Sequence, residues 1–123
     1  MDGRGTLVEL ALVLRTLTQE PAPVELPIVM MVPKATMPCA CDAAYIDEKL
    51  HIRNDIDWHD PKWLSIVLHE LAHHRQFLRS GIARDCTEWM HREREALEIQ
   101  TQYLEDVNSA WRPLNSYTCT SVK

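Results

Sequence analysis

Trp63-Leu64-Ser65-Ile66-Val67-Leu68-His69-Glu70-Leu71-Ala72-His73-His74-Arg75-Gln76-Phe77-Leu78 is the stretch on which the reading of this chain turns. Its apolar residues, Trp63, Leu64, Ile66, Val67, Leu68, Leu71, Ala72, Phe77 and Leu78, fall around nearly the whole circumference of a 3.6-residue helix, which predicts a central, buried helix. Asp60-Pro61 supplies an N-cap residue followed by proline at the first helical position, and Gly81 supplies a stop, so the helix is expected over 61–80. Within it, His69 and His73 are four residues apart and share a face, with Glu70 beside them. Buried histidines need partners. Two imidazoles on one helical face can grip one metal ion, and the His-Glu-x-x-His pattern is the spacing that does so. A shuffled chain of this composition would contain such a pentad roughly two per cent of the time, so the surrounding sequence has to carry the rest.

Downstream, Asp85 and Glu88 form a capping-box pair that opens a second long helix running to about Val107. A hydrolytic zinc site takes three protein ligands and leaves the fourth position for water, so this helix is expected to supply the third. His91, Glu88, Glu93, Glu95 and Glu98 are the candidates. Trp89, Met90, Ala96, Leu97, Gln100, Leu104 and Val107 all lie within roughly 60 degrees of Glu93, whereas Glu95, His91 and Glu98 point roughly 140 to 200 degrees away. A carboxylate in the middle of an apolar stripe is costly unless paired or bound to metal, which selects Glu93. Gln76 and Gln100 fall on the metal-facing sides of their helices, as groups that orient ligands, bind substrate or cap buried backbone. His74, about 100 degrees from His73, is expected behind the ligands or at the surface.

Upstream, Leu7, Leu10, Ala11, Leu14 and Leu17 recur at helical spacing and predict an amphipathic helix over Thr6 to Thr18 that backs a sheet. Glu9 and Arg15 within it are wrong for a signal peptide. Pro21, Pro23 and Pro27 mark a rigid linker. Pro27 to Val32 then reads as a strand, and Ala44-Tyr45-Ile46 and Leu50-His51-Ile52-Arg53 as a hairpin around Asp47-Glu48-Lys49 with Leu50 and Ile52 on one face. His51, on the polar face, is expected to be solvated. From about residue 108 the chain has no periodicity. The expected fold is α+β in one domain spanning 1–123: an N-terminal backing helix, a small three-stranded sheet, the His-Glu-x-x-His helix and a long glutamate helix.

The chain of 123 residues, 46% hydrophobic, is long enough for one core, and its net charge of −5 argues against nucleic-acid or anionic-membrane partners. Its apolar runs are far too short to span a bilayer. Cys39, Cys41, Cys86 and Cys119 form an even set that reads as a disulfide framework, a second metal site or buried thiols. A bridge from Cys39 or Cys41 to Cys86 would close a loop of about 45 residues, worth about 4 kcal/mol, and would imply an oxidising compartment.

His69-Glu70-Leu71-Ala72-His73, followed about twenty residues later by Glu93-Arg94-Glu95-Ala96 on a second helix, resembles the gluzincin clan of zinc metallopeptidases. The resemblance implies His69, His73 and Glu93 as zinc ligands, Glu70 as general base, and peptide-bond hydrolysis on a minimal zincin-like scaffold. In that clan an extended substrate pairs with the sheet edge, which makes the Tyr45 to Arg53 hairpin the candidate platform. The span Leu68 to Gln76, with Cys86, Arg92 to Ala96 and Gln100, is also similar to short bacterial His-Glu-x-x-His proteins that generally carry a secretion leader, which implies a periplasmic or secreted location. One position departs: many gluzincins carry Asp or Asn four residues after the ligand glutamate, where it supports the first histidine, and here that residue is Leu97. Oxyanion stabilisation is left open among Tyr103, Tyr117, His59, His74 and Arg112. The alternative function is a latent enzyme, with the tail and Cys119 across the cleft, or a non-catalytic interaction module in which zinc only staples two helices.

Overall fold

The computed structural model describes residues 4–19 and 25–114, and its elements follow the predicted order: helix, small sheet, two long helices. Helix α1 is Arg4–Thr18, strand β1 is Ile28–Val32, strands β2 and β3 are Ala43–Ile46 and Lys49–Arg53, helix α2 is Pro61–Ser80 and helix α3 is Cys86–Asp106. The expected tail residues 115–123 and the linker prolines Pro21 and Pro23 lie outside the described residues. No helix among the described residues is long and apolar enough to cross a membrane.

The ends of α2 are set by the residues that announce them. Asp60 accepts a hydrogen bond from the Lys62 backbone N–H at 2.9 Å, and Pro61 occupies the first helical position, where its missing N–H costs nothing. At the other end the Gly81 N–H donates to the Phe77 carbonyl at 2.7 Å with φ of 72° and ψ of −158°, a region open almost only to glycine. For α3, Asp85 accepts from the Glu88 N–H at 2.8 Å. The capping box is only half formed, because the Glu88 carboxylate turns to Arg84 and Arg92, each at 3.0 Å, instead of back to Asp85.

The sheet has the order β1-β3-β2, with β1 parallel to β3 and β2 antiparallel to it. Asp47 and Glu48 make the two-residue hairpin turn, both at positive φ (53° and 63°), the conformation that matches the twist of the strands it joins. Leu50 and Ile52 are fully buried on one face, as their alternation predicted, and that face lies on α2. Arg53 ties the strand end down through Asp42 (2.7 Å) and Asp55 (2.6 Å). His51, on the opposite face, is half-buried rather than solvated, with its Nδ1 turned inward and without a hydrogen-bond partner.

Helix α2 is the central layer. Val67, Leu68, Leu71 and Ala72 are at most 1% exposed, between the sheet on one side and α1 and α3 on the other. Each of the larger of these side chains contributes about 1.5–3 kcal/mol by leaving water. The expected all-round burial is incomplete: Trp63, Leu64, Ile66 and Phe77 are half-buried, and Leu78, in the last turn, is 46% exposed. Helix α1 buries Leu7, Leu10, Ala11 and Leu14 against α2 and α3 rather than backing the sheet, because α2 itself already covers the sheet's inner face.

A β-carbon on Gly81 would meet no atom within 4 Å, so the effect of substituting it is backbone strain alone. Gly81→Ala is expected to lower the unfolding free energy by about 1–3 kcal/mol in urea titrations, with the denaturant slope unchanged.

Candidate metal centre

The 3.6-residue repeat of α2 stacks His69 and His73 one turn apart, ring centroids 5.0 Å from each other, on the side of the helix that meets α3. From α3, Glu93 reaches between them. Its Oε1 lies 3.4 Å from His69 Nε2 and is in direct contact with His73 Nε2. One ligand atom from each of the three residues falls within 4.8 Å of the others, so the group can hold a metal ion. The three side chains are 12–16% exposed, deep enough that their charges and lone pairs are poorly served by water.

The far nitrogen of each imidazole is also engaged. His69 Nδ1 lies 2.9 Å from Gln100 Oε1, and His73 Nδ1 lies 2.9 Å from Gln76 Oε1. Both Nε2 atoms are thereby aimed at Glu93. Leu97, at the position where many gluzincins place a supporting Asp or Asn, instead faces a shallow groove on the outer side of α3 with Met90 and Arg94. Gln100, one turn further along the helix, provides the support to His69.

The local electrostatics follow from this crowding. Burial raises the Glu93 carboxyl, but the hydrogen bonds from His69 and His73 and their charges outweigh it and bring it down to about 2. Burial works against charge on His73, and the hydrogen bond to Glu93 with the charges of Glu70 and Glu93 overcomes it, so His73 is raised. Glu70 is also raised, by burial first, with the neighbouring histidines and a hydrogen bond from the Tyr45 backbone pulling the other way. A carboxyl lifted toward neutrality beside a ligand triad is suited to receive a proton.

Glu70, His73 and Glu93 open onto one cleft of about 740 Å³, walled by Tyr45, Phe77 and Trp89. The edge strand β2 forms its rim. Asp42 O accepts from Arg53 N at 3.1 Å, so alternation places the Ala44 and Ile46 backbone groups toward β3. Those of Ala43 and Tyr45 point outward to the open edge, and the Tyr45 N–H is the group that meets Glu70. Strand β2 and the hairpin turn border the cleft, through Ala43, Ala44, Tyr45, Asp47 and Glu48, while β3 does not line it.

Several other expectations are corrected. His74 is neither at the surface nor behind the ligands: it is buried, its Nε2 donating to the Glu25 carbonyl at 2.8 Å and its Nδ1 accepting from the Tyr45 hydroxyl at 2.7 Å. It fastens the approach to β1 onto α2 and holds the cleft tyrosine. Among the oxyanion candidates, Tyr103 packs against the core and Arg112 turns to the Ser109 and Trp111 carbonyls, and neither, like His59, lines the cleft; Tyr117 lies outside the described residues. Tyr45, which was not among those candidates, is the tyrosine that lines it, opposite Leu50 in the strand pairing. The rejected third ligands are elsewhere: His91 and Glu98 are exposed, Glu88 binds arginines, and Glu95 accepts from Gln76 at 2.8 Å. Cys39 is bonded to Cys41, which leaves neither for Cys86, so no 45-residue loop is closed between them. Cys86 lines the cleft, and Cys119 lies outside the described residues.

The buried stripe of α3 is also turned from its expected position. Ala96, Ile99, Gln100 and Leu104 form it, and Val107 is 41% exposed. Glu93 accordingly sits toward one border of the stripe, where the cleft reaches it.

Comparisons with protein-family models, with curated proteins and with solved structures found no match.

Glu93 adds stability only while its folded-state pKa is below its unfolded one. In the metal-free protein that stabilisation is lost as the pH falls from about 4.5 toward about 2, and on the basic side it fades as the pH rises through the raised pKa of His73. Urea titrations across this window should show a steeper acid loss for the parent than for Glu93→Gln, and parallel curves would contradict the assignment.

Proposed function

We propose that this chain is a zinc-dependent peptidase in which His69, His73 and Glu93 hold the metal and Glu70 is the general base. The observation that carries the reading is the convergence of three ligand atoms within 4.8 Å beside Glu70, in a cleft bordered by an open strand edge. Two imidazoles and one carboxylate are a donor set well suited to zinc. Zinc, when bound, would supply Lewis acidity at this centre.

The chain's own groups divide the remaining work. Tyr45 N–H holds the Glu70 carboxylate at the strand edge, where it takes the proton of an attacking water and passes it to the leaving amine. The outward N–H of Ala43 and the carbonyls of Ala43 and Tyr45 offer an extended peptide part of the ladder of a fourth strand, on the pattern of β-augmentation. Phe77 and Trp89 give its side chains an apolar wall and limit water in the cleft. The Cys39–Cys41 pairing suits an oxidising, extracytoplasmic compartment.

The alternative of a non-catalytic module stapled by zinc is favoured by one observation: the three ligands come from two helices, α2 and α3, that a metal would cross-link. Glu70 separates the two readings because it touches no ligand position in the triad. Glu70→Gln is expected to retain its metal and to lose hydrolysis of a peptide library by about 10²–10⁴-fold. Activity retained in that variant contradicts the peptidase reading, as does a metal-loaded parent that cleaves nothing.

A further inference from the structure

Resting on the metal reading above, we infer that Gln76 and Gln100 are the positioning residues of the centre. Each is locked in the one amide orientation that forces its histidine to present a bare Nε2 to the metal. Hydrogen-bond chemistry fixes the direction of both chains. Gln76 Nε2 donates to the Arg92 carbonyl at 3.0 Å and to the Glu95 carboxylate at 2.8 Å, and neither oxygen carries a proton to give back. Rotating this amide by half a turn would set its oxygen against both acceptors. Its Oε1 must therefore face His73 Nδ1, which must be the N–H.

For Gln100 the lock has one more member. Ser65 Oγ donates its hydroxyl proton to the Lys62 carbonyl at 2.8 Å, which leaves its lone pairs for Gln100 Nε2 at 3.2 Å. Gln100 Oε1 is thereby held toward His69 Nδ1. Ser65, Gln76 and Gln100 are at most 3% exposed, so water cannot stand in for any of these partners. Both imidazoles are held with Nδ1–H facing the amides, so the Nε2 protons that bond Glu93 in the metal-free protein are the ones a metal would displace, leaving three lone-pair atoms at one point: two Nε2 atoms and the Glu93 carboxylate.

Neutral amides do here what a carboxylate does where Asp backs a ligand histidine. They orient the ring without adding negative charge, so Glu93 is the one anionic ligand of the centre. Gln100 also answers the question raised by Leu97: the support of His69 is present, moved one turn along α3.

The test is zinc affinity by competition with a chromophoric chelator, together with proton NMR of the zinc-loaded protein, for the parent, Gln100→Leu and Gln100→Glu. Gln100→Leu is expected to bind zinc about 10–100-fold more weakly and to lose the slowly exchanging downfield proton of His69 Nδ1 while keeping that of His73. Gln100→Glu, which restores a hydrogen-bond acceptor, is expected to recover at least the parent affinity and both protons. Loss of both protons together in Gln100→Leu, or an affinity equal to the parent's, overturns the inference and leaves the metal reading standing. A parent that binds no zinc overturns the centre and the inference with it.

Discussion

Two imidazoles one turn apart on a helix buried from nearly every side must have their nitrogens satisfied from within the protein. Everything around α2 answers to that constraint. Helix α3 supplies Glu93 to the near nitrogens and Gln100 to one far nitrogen, and α2 supplies Gln76 to the other. The sheet brings β2 alongside, so that Glu70, on the same turn as His69, meets a backbone N–H at an open strand edge. The remaining helix, α1, completes the burial from the far flank. Polar satisfaction and apolar burial thus point to the same packing of α2 on α3.

The chemistry follows from where charge is placed in that packing. A single carboxylate lies between two histidines and is held strongly ionised, while a second, one residue along from His69, is lifted toward neutrality. Two carboxyls with opposite shifts in one cleft suit the two roles proposed for them, the first binding a cation and the second moving a proton. The amide pair behind the histidines adds orientation and no charge.

Much of this was legible from local chemistry. Asp60-Pro61 and Gly81 gave the limits of α2 to the residue, because a cap, a proline and a positive-φ glycine act within one turn. Glu93 was selected by its place among apolar neighbours, and the helix brings it to the triad. What could not be read depends on contacts between distant elements. Strand order, with β3 in the middle, and the seat of α1 on two helices instead of on the sheet are decided by which faces α2 leaves open. His74 has a partner 49 residues away, and no spacing rule reaches the Glu25 carbonyl. Ile99 joined the buried stripe, and Val107, expected as its last member, is the C-cap just past the end of α3 and is exposed.

The central claim is that the triad binds a metal and that Glu93 is one of its ligands. Elemental mass spectrometry on protein purified without chelator or affinity metal, comparing the parent with Glu93→Ala, tests it most directly. The account predicts one zinc per parent chain and a sharp fall in the variant. A parent that takes up no zinc even when supplied with it, or a variant that holds as much as the parent, would contradict it.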